Sequence, residues 1–171
     1  MARKSRQVET RMVAEYLKLN YSKFPFIMDV PLGRLDPEAL ATQGIARTAN
    51  MLRPFRPRAD AIVILPRYLV VIEAKVWNVV NGLAKIPLYK SLIPFTPELA
   101  QYKDYDILME MVVGRSDANL EIMARDMGVT LRLYAPAWLA EVVDGMNKYW
   151  TKEYQAARQE KQQLREYFNV E

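Results

Sequence analysis

The sequence predicts an α/β fold with a mixed central sheet flanked by helices, and three observations carry that prediction. Segments of helical and of strand periodicity alternate along nearly the whole chain. Two consecutive runs, Ala59 to Leu65 and Tyr68 to Trp77, are rich in Val, Ile and Leu on both faces, as in central strands of a covered sheet. Only Pro66-Arg67 separates them, so they form an antiparallel hairpin inside the alternating pattern. The length of 171 residues and the apolar content of 51% fit a single domain with its own core.

In chain order, Val8, Met12, Val13, Tyr16, Leu17 and Leu19 recur at helical spacing. Phe24 to Leu32 is short, apolar and Pro-bounded, and reads as a strand despite the interior Asp29. Asp36-Pro37-Glu38 supplies an N-cap, a proline at the first helical position and an acid at the positive end of the dipole, and Gly44 limits the helix it starts. After the hairpin, Gly82, Pro87, Pro94 and Pro97 predict an irregular excursion. Thr96-Pro97-Glu98 repeats the cap, proline, acid pattern and opens a helix through about Asp106. Met109 to Gly114 then reads as a strand, Asp117 to Met127 as a helix stopped by Gly128, Val129 to Tyr134 as a strand, and Val142 to Phe168 as a helical tail interrupted near Thr151. The C-terminal helical extension starts at about residue 137.

The chain has no Cys and no His. Thiolate zinc sites, disulfides, cysteine nucleophiles and histidine-based triads are therefore excluded, and any metal site must use oxygen ligands suited to Mg²⁺, Mn²⁺ or Ca²⁺. No run is long and apolar enough to span a bilayer, and the basic start lacks an apolar signal core. A soluble, intracellular protein with no membrane partner is the expectation. The formal net charge is +4, and two segments carry it. Arg3, Lys4, Arg6 and Arg11 face a single acid, Glu9, in the first eleven residues, and Arg34, Arg47, Arg53, Arg56 and Arg58 outnumber Asp36 and Glu38 in the segment entering the hairpin. Arginine forks bind phosphate bidentately, so these segments permit an anionic partner without specifying one.

The hairpin carries the chemistry. A two-residue turn at Pro66-Arg67 pairs Leu65 with Tyr68 and therefore Asp60 with Glu73. Opposed like charges on antiparallel strands repel, and burial makes the repulsion worse. A divalent cation held by both carboxylates would relieve it, while Lys75, on the same strand face as Glu73, acts on whatever the metal binds. A solvated cluster of Arg58, Asp60, Glu73 and Lys75 is the structural alternative.

Asp60, twelve residues, then Glu73-Ala74-Lys75 on two successive hydrophobic strands resembles the PD-(D/E)XK nuclease superfamily, with Ala59 where the family name has Pro. The resemblance covers roughly residues 7–135 and implies a restriction-endonuclease-like αβββαβ core. It also implies a metal-dependent nuclease acting on DNA and leaving 5′-phosphate and 3′-hydroxyl ends. Asp60 and Glu73 would then hold Mg²⁺ or Mn²⁺ with the Ala74 carbonyl, and Lys75 would assist the water. Gln101 and Tyr105 match the Gln-x-x-x-Tyr pattern of the recombination-nuclease branch, the Gln orienting the site and the Tyr contacting nucleic acid. Glu9 in the first helix matches a Glu that reaches the metal, with Glu15 as its rival. Arg53, Arg56 and Arg58, with Lys85 and Lys90 beyond the strand, complete the expected nucleic-acid contacts. The alternatives are a Holliday junction resolvase-like enzyme, for which a homodimer through the Trp150, Tyr154, Leu164 and Phe168 stripe would matter, and a non-catalytic DNA-binding or assembly protein on the same fold.

Overall fold

The structure is a computed structural model that describes residues 2–147 and 152–167. The chain divides into two compact units, Met1–Tyr134 and Ala135–Glu171. The first contains α1 (Ala2–Asn20), β1 (Phe26–Pro31), α2 (Pro37–Leu52), β2 (Arg58–Leu65), β3 (Tyr68–Lys75), α3 (Val79–Leu92), β4 (Asp106–Val113), α4 (Ala118–Asp126) and β5 (Thr130–Leu133). The second contains α5 (Ala137–Asn147) and α6 (Lys152–Tyr167); Trp150, Thr151 and Phe168 lie outside the described residues. Among the described residues, no helix is long and apolar enough to cross a membrane.

The five strands lie in chain order, β1-β2-β3-β4-β5; the first two pairings are antiparallel and the last two parallel. This is the expected mixed sheet with the hairpin at its centre. Leu65 pairs with Tyr68 and Ala61 with Ile72, the register read from the Pro66-Arg67 turn. Arg67 takes a positive φ of 71° to close the turn.

The β3 side chains alternate between the two faces. Leu69 and Val71, with Met109, Met111 and Val113 of β4, join a core completed by Leu83, Ile86 and Tyr89 of α3 and Leu120 and Ala124 of α4. The opposite face takes α1, whose Met12, Val13, Tyr16 and Leu17 are buried. Glu110 of β4 is buried there, and it accepts from Tyr16 Oη at 2.7 Å, Tyr21 Oη at 3.1 Å and Arg132 Nε at 3.1 Å. Burial and this carboxylate hold both phenols protonated, pushing Tyr21 up to about 12.

Three sequence expectations are corrected. Residues 79–92 form a regular helix rather than an irregular excursion. Gly82, Leu83, Ile86 and Tyr89 all face the sheet, and burying that stripe outweighs the poor helix propensity of Gly82 and Pro87. The expected helix from 97 to 106 is instead a 3-10 stretch, Pro97–Tyr102, with β4 starting at Asp106. Its would-be cap is spent elsewhere: Thr96 Oγ1 accepts from Gly33 N and donates to Leu92 O, each at 2.9 Å. Gly44 breaks α2 (φ 74°, ψ 167°), but helix resumes beyond it to Leu52.

A candidate active site where the hairpin strands part

The β2–β3 ladder stops at Ala61↔Ile72, one pair short of Asp60 and Glu73. There the Asp60 side chain takes over from the backbone, and Oδ2 accepts the Ala74 N–H at 2.8 Å. Its carboxylate thus lies between the parting strands and also lines a cavity of about 210 Å³ with Arg6, Thr10, Val13, Met28 and Asp29.

Glu73 is 2% exposed. Its Oε1 lies 3.2 Å from Lys75 Nζ, whereas Oε2 is buried with no hydrogen-bond partner. Burial, then the Asp60 charge, push the Glu73 carboxyl up to about 7; Lys75 and Lys85 pull it back only in part. Burial alone would lower Lys75, but Glu73, Asp60 and Glu9 outweigh it and hold the ammonium charged well into the basic range.

Glu9 settles on Lys75 from the α1 side: Oε2 is 3.1 Å from Nζ, and Oε1 lies 3.5 Å from the Val76 N–H. Its rival Glu15 pairs with Arg11 at 2.8 Å and accepts from Tyr134 Oη at 3.1 Å, two turns further along the helix. The helix thus delivers Glu9 to the hairpin and Glu15 to β5.

Not every predicted residue arrives. Gln101 is exposed on the 3-10 stretch, and Tyr105 packs edge-to-face on Tyr102 at 5.3 Å. Both precede Asp106, which pairs with Tyr68 at the far end of β3 from Lys75, about 23 Å away at ~3.3 Å per residue. The reason is the corrected crossover: α3 is the helix that returns over the strand ends. Arg56 is 7% exposed and consumed by structure, its guanidinium bound to Glu98 and to the carbonyls of Pro31, Leu32 and Gly33. Arg53 and Arg58 instead converge on Asp29. Lys85 and Lys90 are exposed on α3, with Lys85 close enough to lower Glu73.

Three further residues, Gly82, Tyr89 and Asp29, lie at the site. Gly82 packs so tightly on Lys75 that a Cβ there would sit 2.4 Å from Lys75 Cγ and 3.0 Å from Met111 Cε. Tyr89 is buried, and burial and the charges of Glu73 and Asp60 keep its phenol protonated, although it closes no hydrogen bond to Glu73 Oε2. Asp29 stands across from Asp60, between the pairs Met28↔Ala61 and Val30↔Ala59. Lys85 and Tyr89 repeat the four-residue spacing expected of Gln101 and Tyr105, and only the helix assignment could have revealed it.

The donor set fits a hard divalent cation: carboxylate oxygens from two strands, Asp60 tied to the Ala74 N–H, and no nitrogen or sulfur ligand. Among the described residues, no group of three carboxylates is gathered to hold an ion, because Lys75 separates Glu9 from Glu73. No protein-family model matches the chain, and no curated protein matches it either.

Proposed function

We propose that the chain is a divalent-metal-dependent nuclease of the PD-(D/E)XK type, hydrolysing phosphodiester bonds in DNA to leave 5′-phosphate and 3′-hydroxyl ends. One observation carries the reading: the buried, unpartnered Glu73 Oε2 beside Asp60, with a charged lysine two residues on. A fold that leaves such an acceptor unmatched stores a cost that a bound cation removes. The element order α1-β1-β2-β3-α3-β4, with α2 inserted, supports the αβββαβ core that the resemblance implies.

Asp60, Glu73 and the Ala74 carbonyl would hold a Mg²⁺ or Mn²⁺ ion, which would supply polarisation of a phosphoryl oxygen and a more acidic water. The chain's own groups do the rest. Lys75, which Glu73, Asp60 and Glu9 hold as an ammonium, offsets the negative charge that builds on the phosphoryl oxygens at the transition state and assists the water. Glu9 orients Lys75 from one side, and Gly82 leaves the room in which its stem lies. Tyr89 offers a protonated hydroxyl at the α3 wall.

The test is Mg²⁺- and Mn²⁺-dependent cleavage of end-labelled single-stranded, duplex and branched DNA, with RNA alongside. Glu73→Ala and Lys75→Ala should each abolish cutting, and a preference for branched DNA would select the junction-resolving form. Wild-type protein that binds DNA yet cuts nothing with either metal would sink the nuclease reading in favour of a binding module.

A further inference from the structure

Among the described residues, two buried side-chain polar atoms lack a hydrogen-bond partner: Glu73 Oε2 and Arg58 Nε. They flank Asp60, one across the hairpin and one two residues earlier on β2. The first is an acceptor and calls for a cation; the second is a donor and calls for an anion.

The surroundings of Arg58 show what kind of anion. Arg6 from α1, Arg53 from the turn after α2 and Arg58 from β2 all point at Asp29, Arg6 at 3.4 Å, Arg53 at 3.6 Å and Arg58 in closest contact. Three guanidinium groups thus share one carboxylate and keep an excess of positive charge. The Arg6 and Arg53 contacts are longer than the ~2.7–2.9 Å of a tight charge-assisted bond, and both arginines are about half exposed or more. Asp29 holds them from a left-handed backbone conformation (φ 56°), unusual for a residue with a side chain. It stands between the pairs Met28↔Ala61 and Val30↔Ala59, level with Asp60 on β2. With Asp60, Arg6 and Thr10 it lines the same cavity. A phosphodiester carries one negative charge, as a carboxylate does, and matches the arginine fork at least as well, so the positive charge that Asp29 leaves uncompensated suits it.

We propose that Arg6, Arg53 and Arg58 form a subsite for a backbone phosphodiester of the nucleic acid, with Asp29 as its built-in competitor. In the free protein Asp29 holds the three guanidinium groups together; the incoming phosphodiester displaces it and satisfies Arg58 Nε. The identity of the ligand rests on the nuclease reading, but the subsite is tested by binding and needs no turnover.

The experiment measures anisotropy of a short labelled oligonucleotide, single-stranded and duplex, in EDTA across a KCl series, with thermal melts as a fold check. Asp29→Asn should bind up to about fivefold tighter than wild type, since it removes a competing ion pair worth up to about 1 kcal/mol. The doubly exposed pair Arg6→Ala with Arg53→Ala should bind more weakly and with a salt slope smaller by about 1. A folded Asp29→Asn protein that binds equally or more weakly overturns the proposal. If Asp29→Asn fails to fold, unchanged binding by the arginine double variant overturns it instead. Inorganic phosphate competing at the oligonucleotide's own phosphate concentration would assign the site to free phosphate and also overturns it. Cleavage by wild type in Mg²⁺ is scored separately: no cutting with tighter Asp29→Asn binding removes the nuclease and keeps the subsite, and cutting with unchanged Asp29→Asn binding does the reverse.

Discussion

Glu73 and Glu110 stand one residue out of register on adjacent parallel strands, on opposite faces of the sheet, and are 2% and 3% exposed. Their surroundings differ completely. Glu110 has both oxygens engaged, by two phenols and a guanidinium drawn from α1, the loop after it and β5. Glu73 has one oxygen on Lys75, the other on nothing, and a second carboxylate opposite. Burial of a carboxylate is thus no sign of function in itself. Glu110 acts as a rivet that fixes α1, and so Glu9, against the sheet. Glu73 is held against its own electrostatic preference, the kind of perturbed acid that clusters at functional sites.

The largest expected effect separates the two by activity. Glu73→Gln keeps the shape and removes the charge, so DNA cleavage in Mg²⁺ should fall by at least about 100-fold, as for loss of a key electrostatic group. The same substitution should stabilise the metal-free protein. Because burial raises the folded carboxyl to about 7, the fold favours the protonated form. The stability it allows is fully present below the ordinary carboxylate pKa and lost as pH rises through about 7, a loss of at most about 3 kcal/mol. Glu73→Gln should therefore melt higher than wild type at pH 8 in EDTA, with the gap closing as pH falls toward 4.5. A gap that is flat with pH would show that Glu73 is not a strained acid.

Glu110→Leu should do the opposite. The buried Tyr16 and the half-buried Tyr21 lose their acceptor, so urea denaturation should report a loss of about 2–4 kcal/mol. The loss should be insensitive to Mg²⁺. Equal stability of the Leu variant would break the contrast, because it would make Glu110 as dispensable to the fold as Glu73.

Gly82 tests whether Lys75 is held by packing as well as by charge. In an open helix, Gly→Ala gains up to about 1 kcal/mol. Here the added methyl overlaps Lys75 near the root of its side chain and crowds Met111, so Lys75 must change its rotamer. Gly82→Ala should leave the melting temperature within a few degrees while kcat falls about tenfold, a loss that Lys75 displacement explains and unfolding does not. An unchanged kcat would show that the ammonium is positioned by Glu9 and Glu73 alone.

How far the sequence reached follows from the same contrast. The hairpin was legible because a two-residue turn between apolar runs fixes register, and register alone set Asp60 against Glu73. Glu9 was legible because helical spacing put it at the edge of the buried stripe of α1. The crossover helix was not, since Gly82 and Pro87 argue against helix locally while their burial against β3 and β4 is a long-range fact. The Asp29 cluster was also hidden: Arg6, Asp29, Arg53 and Arg58 come from four elements, and no spacing announces their meeting. Arg56 misled for the converse reason, because nothing in Arg53-Pro54-Phe55-Arg56-Pro57-Arg58 tells which guanidinium turns inward to Glu98.

The smallest effects belong to the pair of four-residue spacings. Gln101 and Tyr105 sit beyond the start of β4, at the end of the sheet away from Lys75, so Gln101→Ala should change cleavage less than about twofold. Tyr89→Phe removes only a hydroxyl, but one kept protonated by the charges of Glu73 and Asp60. If that hydroxyl steadies the Glu73 carboxylate or the phosphate beside it, kcat should fall about three- to tenfold, the usual worth of one neutral hydrogen bond. Both rates come from one single-turnover assay at saturating Mg²⁺. A large loss for Gln101→Ala with none for Tyr89→Phe would mean that the segment after α3 folds onto the strand ends when substrate binds. The crossover geometry argues against it: residues 103 to 105 are followed at once by a strand locked to β3 over eight consecutive pairs, which leaves that segment no slack to travel the length of the sheet.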